Sequence, residues 1–296
     1  MPRHMLSRKQ SRWVFRLLQW AAIAVLLGRA YQHWFWDAPY RALLWDEDLM
    51  RPFVEGWFGV PWTDYASDMR VNWAIQFGMK IIGGFLALGA VVAALPSLVP
   101  KQAWKILVAN AALLFLLAFL YYKEQNYQFG QFIEYALQVC APYFFYKLLI
   151  KGEVNLSRER FYRWATAVTF VGHGLYAVGF YPRPGHFTVM VINALAIPPE
   201  WANQLLWTAG ILDFLTAIWV LLPFPGRVIA LWYCVIWGFL TSVARVWANF
   251  YPEFWASSLH QWLFEFVYRS PHFLIPMALL VLGRDLKSNS QHFRKV

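Results

Sequence analysis

Residues 73–95 read WAIQFGMKIIGGFLALGAVVAAL, an apolar run interrupted by one charge, Lys80. As a helix rising 1.5 Å per residue, about 20 such residues cross the hydrocarbon core of a bilayer. A helix apolar on every side belongs either in the core of a large protein or in a membrane. Composition decides between the two. The 296-residue chain is 59% hydrophobic, 20% aromatic and 14% charged, whereas soluble domains carry about 25% charged residues. Its mean hydropathy is +0.39. Too little polar surface exists to clothe a water-soluble fold, so a soluble globular enzyme is excluded.

Seven further runs resemble the first. Together they predict spans at 13–35, 73–95, 104–122, 130–150, 163–181, 204–223, 228–248 and 258–282. The expected fold is an all-α polytopic membrane protein with eight transmembrane helices. Arg3, Arg8, Lys9, Arg12 and Arg16 before the first run could suggest a signal peptide. That run, however, continues into Arg29-Ala30-Tyr31-Gln32-His33-Trp34 without a small-x-small cleavage site, and it is read as a retained span.

The distribution of basic residues sets an expected orientation. The N-terminal five, Lys101, Lys105, Lys147, Lys151, Arg158, Arg160, Arg163, Arg227, Arg284, Lys287, Arg294 and Lys295 fall at the N-terminus, in alternate loops and at the C-terminus. The opposite loops hold Asp37, Asp46, Glu47, Asp48, Glu55, Asp64 and Asp68 within 36–72 alone. Both termini are therefore expected in the cytoplasm, in a bacterial inner membrane. The net charge of +10 is a topology signal, and no nucleic-acid partner is expected. Trp13, Trp34, Trp36, Trp73, Trp104, Trp164, Trp201 and Trp255 lie at span ends, where amphipathic rings anchor at the lipid headgroups.

The halves before and after residue 157 overlay in order. Gly28-Arg29 meets Gly172-His173, and each pair is followed by a proline, Pro39 or Pro184. A short amphipathic stretch comes next, 40–45 or 186–191. Gly83 and Pro96 match Gly210 and Pro223, while Glu134 and Pro142 match Glu265 and Pro271. Tandem order of this kind predicts two parallel four-helix units, 1–157 and 158–296, each with an outer-face amphipathic helix. The first unit adds an extracytoplasmic insert within 36–72.

Gly172-His173-Gly174-Leu175, then Pro184-Gly185, then Ala209-Gly210-Ile211-Leu212-Asp213, resembles the DoxX-like membrane family. In that family a His-Gly near the end of the first helix precedes a Pro-Gly turn and a Gly with an acidic residue in the second helix. The resemblance covers about 163–283 and reaches the first half through the duplication, where Arg29 replaces the histidine and Leu86 replaces Asp213. Some members are subunits of thiosulfate:quinone oxidoreductase. The resemblance therefore implies a four-helix fold and a redox-linked role.

Ionisable residues inside spans cost about 2.5–3.5 kcal/mol each on insertion scales, so each needs a reason. In the second unit His173, Asp213, Arg245, Glu265 and Arg269 qualify. Glu265 and Arg269 are four apart, a spacing that permits an ion pair. In the first unit Arg29, His33, Lys80 and Glu134 gather in the outer half. Each unit is thus expected to hold an outward-facing polar pocket, though buried acid–base pairs can also serve only to fix packing. His173 and His272 lie at similar depth, which would permit haem ligation if their helices adjoin.

No Walker A, GxGxxG, HExxH or GxSxG motif occurs, and no metal site is expected. Two functions are favoured over a third, a transporter, for which no inward-facing pocket completes a path. One is a redox-linked subunit binding a quinone or other lipophilic molecule. There His173 would bond a carbonyl, Asp213 would orient His173, Arg269 would stabilise an anion and Glu265 would hold Arg269. The other is a non-enzymatic accessory or scaffold subunit docking a protein partner through the extracytoplasmic loop.

Overall fold

A computed structural model describes residues 8–154, 156–223 and 226–293, with side chains over 11–154, 157–223 and 226–283. Arg3, Arg294 and Lys295, which contribute to the expected orientation, lie outside the described residues, as do the side chains of Arg8, Lys9, Arg284 and Lys287. The chain is 84% helical, without a strand among the described residues.

Among the described residues fourteen α-helices follow in order: α1 (Arg8–Phe35), α2 (Arg41–Leu44), α3 (Glu47–Phe58), α4 (Trp62–Ser67), α5 (Met69–Ala94), α6 (Ile106–Glu124), α7 (Phe129–Glu134), α8 (Ala136–Lys151), α9 (Leu156–Ala177), α10 (Gly185–Leu195), α11 (Pro199–Leu221), α12 (Gly226–Trp247), α13 (Trp255–Arg269) and α14 (Pro271–Phe293). Among the described residues six segments are long and apolar enough to cross a membrane: Ser11–Phe35, Met69–Ala94, Lys101–Glu124, Pro199–Leu221, Gly226–Trp247 and Pro252–Gly283. Six of the eight expected spans coincide with them.

The windows 130–150 and 163–181 are helical but differ from the rest. In the first, the helix breaks at Tyr135 between α7 and α8, leaving α8 with 16 residues. In the second, α9 opens with Arg158, Glu159, Arg160 and Arg163, charges that lower its hydropathy. Both are nonetheless built into the bundle. Helix α9 packs against α11, α7, α14 and α8, and α1 packs against α5, α14, α13 and α8. Val14, Leu18, Ala21, Ala22, Val25 and Leu26 of α1 are buried in the main core, with Phe144 and Phe145 of α8 and Ile275 and Ala278 of α14.

Two breaks shape the interior. At Tyr135 the continuous backbone ladder stops, and the Leu137 amide donates instead to the Thr169 hydroxyl of α9 at 3.0 Å. At Ser270 the chain re-enters a helix through Pro271, which has no N–H to lose at a first helical position. Each break is approached by a glycine. A Cβ on Gly172 would stand 2.7 Å from the Glu134 amide nitrogen, and one on Gly28 would stand 2.7 Å from that of Tyr268. Only the missing side chain allows these helices so close.

One end of the bundle is crowded with short helices. Asp46, the N-cap of α3, pairs with Lys123 at the end of α6. The Trp36 indole donates to the His260 carbonyl at 3.2 Å, and the Phe129 amide donates to the Tyr181 hydroxyl at 3.1 Å. Helix α10 seats on α11 and α12 at the same end.

Candidate functional site

The breaks in α7–α8 and α13–α14 bring ionisable side chains from both halves together around His173. Its Nδ1 lies 3.4 Å from Glu134 Oε2, and the Gln131 amide donates to the other Glu134 oxygen at 2.9 Å. The His272 ring lies 5.2 Å from that of His173, centroid to centroid. Arg245 Nε is 3.5 Å from Glu265 Oε2.

Phe170, His173, Ala177, Phe187, Met190, Leu206, Asp213, Trp237, Arg245, Arg269 and His272 are among the residues lining a narrow cleft of about 60 Å³ at this cluster. The cleft thus gathers four of the five ionisable residues expected inside the second unit, His173, Asp213, Arg245 and Arg269, together with His272. Phe187 and Met190 of α10 wall it, and the Arg245 guanidinium sits 5.9 Å over the Phe187 ring. On the exposed side of α11 and α12 two apolar grooves flank the cleft. One of about 540 Å³ runs by Trp201, Leu205, Leu212 and Tyr233. The other, about 390 Å³, runs by Leu195, Leu240 and Trp247. Trp237 borders the cleft and both grooves.

Several expected partnerships are replaced. Asp213 does not orient His173; it accepts a hydrogen bond from the Tyr233 hydroxyl at 2.9 Å, while Glu134 approaches His173. Glu265 pairs with Arg245 of α12, which competes with the neighbour four residues along its own helix. Glu134, expected beside Arg29, faces the other way because α7 packs on α9. Lys80 is exposed on α5, one position beyond buried Met79, and lines neither the cleft nor the two grooves. The helices bearing His173 and His272 do adjoin, with the two rings 5.2 Å apart, centroid to centroid, and tilted by 48°. Among the described residues no group of three or more His, Cys, Asp or Glu could hold a metal ion.

Arg29 occupies a different setting. Fully buried, it donates from Nη2 and Nε to Gln138 Oε1 at 2.7 and 3.2 Å, and from Nη1 to Gln32 Oε1 at 2.7 Å. Its guanidinium lies 3.8 Å over Tyr268, 5.0 Å over Tyr135 and 5.5 Å over Tyr121. Cation–π contacts of this sort are strongest when desolvated, about 2 kcal/mol or more. His33 bonds the Arg29 carbonyl through Nδ1 at 2.6 Å and Tyr40 through Nε2 at 3.0 Å. The arginine is held entirely by protein.

Residues 167–262 match the family model of the DoxX-like family. No curated protein and no solved structure matches the chain. The matched segment carries His173, Asp213 and Arg245, whereas Glu134, Glu265, Arg269 and His272 reach the cluster from outside it.

Proposed function

We propose that this integral membrane protein, DoxX-like over residues 167–262, binds a lipophilic small molecule of the quinone class in the cleft around His173. One observation carries the reading: Trp237 separates a polar cleft from two apolar grooves on the exposed flank of α11 and α12. A ligand arriving through lipid could leave its hydrocarbon part in a groove and present its polar head to His173 and Arg269. Intramembrane ionisable groups facing a cavity are the usual mark of such a site.

In this reading the His173 imidazole bonds a ligand oxygen, and Glu134 orients the ring. Arg269 favours negative charge on that oxygen, and Glu265 balances Arg245. Reducing a quinone to a hydroquinone takes two electrons and two protons. The residues of this chain can pass protons, so the electrons would come from a partner protein. Quinone analogues should raise the melting temperature of the wild type but not of His173→Ala; equal shifts in both would contradict the site.

The architecture we infer is eight spans in two tandem parallel units, 1–157 and 158–296, with both termini cytoplasmic, in a bacterial inner membrane. Corresponding contacts support it. Gly28 on α1 meets α13 as Gly172 on α9 meets α7. Gly83 abuts His33 and Trp34, and Gly210 abuts Ala177 and Val178. This correspondence pairs Pro142 with Pro276 instead of Pro271, and Glu134 with Tyr268 instead of Glu265. It also places Arg29 where the second half has His173.

A second reading rests on the outer short helices. Trp57 and Phe58 are 78% and 74% exposed on α3, an apolar face suited to a protein partner in an accessory or scaffold role. A complex that survives His173→Ala but not deletion of 52–68 would favour it.

A further inference from the structure

Resting on the reading of the cleft as a site for a lipid-borne ring, we infer that it selects the hydroxyl-bearing, reduced form of that ring over the carbonyl form. The argument turns on His272, which is 3% exposed and lines the cleft. Its Nδ1 lies 2.7 Å from the Arg269 carbonyl oxygen. A carbonyl can only accept, so Nδ1 carries the proton, and the neutral ring presents a lone pair at Nε2. That Nε2 is buried and has no hydrogen-bond partner among the described residues. It calls for a donor.

Arg269 lines the same cleft, and its Nε is also buried without a hydrogen-bond partner among the described residues. A guanidinium only donates, so this group calls for an acceptor. A quinone carbonyl would suit Arg269 but would set its lone pairs against those of His272. An aromatic hydroxyl satisfies both, because its hydrogen donates to His272 while its oxygen accepts from Arg269. Aromatic walls at Phe170, Phe187 and Trp237 suit the ring that carries it.

The protein contains the same arrangement completed. His33 bonds a backbone carbonyl through Nδ1, that of Arg29, and its Nε2 meets the phenolic hydroxyl of Tyr40 at 3.0 Å. His272 repeats the first half of that arrangement and lacks the phenol. The ligand hydroxyl takes the place that Tyr40 holds at His33.

The test uses the full-length protein in detergent, with affinity measured by calorimetry under anaerobic conditions. The probes are decyl-substituted benzoquinone and the hydroquinone obtained by reducing it. The hydroquinone should bind about tenfold more tightly, the ratio expected when a buried acceptor is matched by a donor instead of opposed by a second acceptor. His272→Gln, whose side-chain oxygen can accept, should keep the preference, and His272→Phe should abolish it while still binding the quinone. Equal affinities, or a tighter quinone, in the wild type would overturn the selectivity and leave the site standing. Failure of both forms to bind would overturn the site itself and the selectivity with it.

Discussion

In the proposed pairing of the two halves, the surroundings of Arg29 and of His173 correspond, and they have been finished differently. Each residue follows a glycine pressed against one helix break, and each is reached by a residue from just beyond the other, Gln138 or His272. Around Arg29 every described bond closes within the protein, through two glutamines and three tyrosine rings. Around His173 a cleft persists, and polar atoms of Arg269 and His272 lack hydrogen-bond partners. A buried polar group left unmatched costs about 1–3 kcal/mol. Retaining two of them beside a cavity makes sense where a ligand supplies the match, and the first half carries its match internally.

The comparison breaks most visibly at Arg29. Arg29→Leu removes the cation from three rings and strands the oxygens of Gln138 and Gln32, which should cost about 3 kcal/mol. Thermal melting should show that loss, while quinone-class ligands still raise the melting temperature of the folded fraction. A variant as stable as wild type would mean that the tyrosine cage is not the structural element described.

Next come the two glycines. Gly28→Ala and Gly172→Ala each place a Cβ 2.7 Å from a backbone nitrogen of the facing helix. Overpacking of this kind costs about 1–3 kcal/mol, and the two losses should be alike. If one variant were harmless and the other severe, the correspondence between halves would fail.

Much of this was legible in the sequence, and the remainder was hidden for physical reasons. Apolar runs fix six spans because lipid imposes length and hydropathy together. The helices α8 and α9 show that a helix shielded by neighbours need not be uniformly apolar. His173, Asp213 and Arg269 announce themselves as charges in apolar surroundings, but periodicity along one chain does not say which helix faces which. Glu134 therefore goes by chain order with Arg29, although α7 delivers it to His173. Lys80 could have been excluded, because the buried positions Ile75, Met79, Gly83, Leu86 and Ala90 trace one face of α5 that omits it. The Arg245–Glu265 pair leaves no trace in local spacing, since it joins α12 to α13.

A finer probe concerns Glu134, the first half's contribution to the second half's site. Glu134→Gln keeps the shape and the bond with Gln131 but removes the charge facing His173. Ligand affinity should fall about fivefold, as expected for losing a weak charge-assisted contact of about 1 kcal/mol. The corresponding Tyr268→Phe should leave affinity unchanged, because its ring still stacks on Arg29. Calorimetry on the two variants checks both.

The smallest effect lies at the end crowded with short helices. Lys123 and then the Leu49 amide hold the Asp46 carboxyl below its ordinary range. A carboxylate lowered by folding stabilises the folded state above its unfolded pKa, and the contribution fades as pH falls through the folded value. Protection of the α3 amides, taken relative to their intrinsic exchange rate at each pH, should therefore fall in acid, with the melting temperature of the bundle hardly moved. Asp46→Asn should remove that pH dependence.

The central claim is that only the second half's cleft takes a lipid-borne ligand. A quinone bearing a photoreactive group on its tail, irradiated with the protein in nanodiscs and followed by peptide mapping, addresses it directly. The account predicts labelling on α11 and α12 near Leu206 and Trp237, lost in His173→Ala, with none on α1 and α5 around Arg29. Labelling around Arg29, or labelling of α11 and α12 that persists unchanged in His173→Ala, would contradict it.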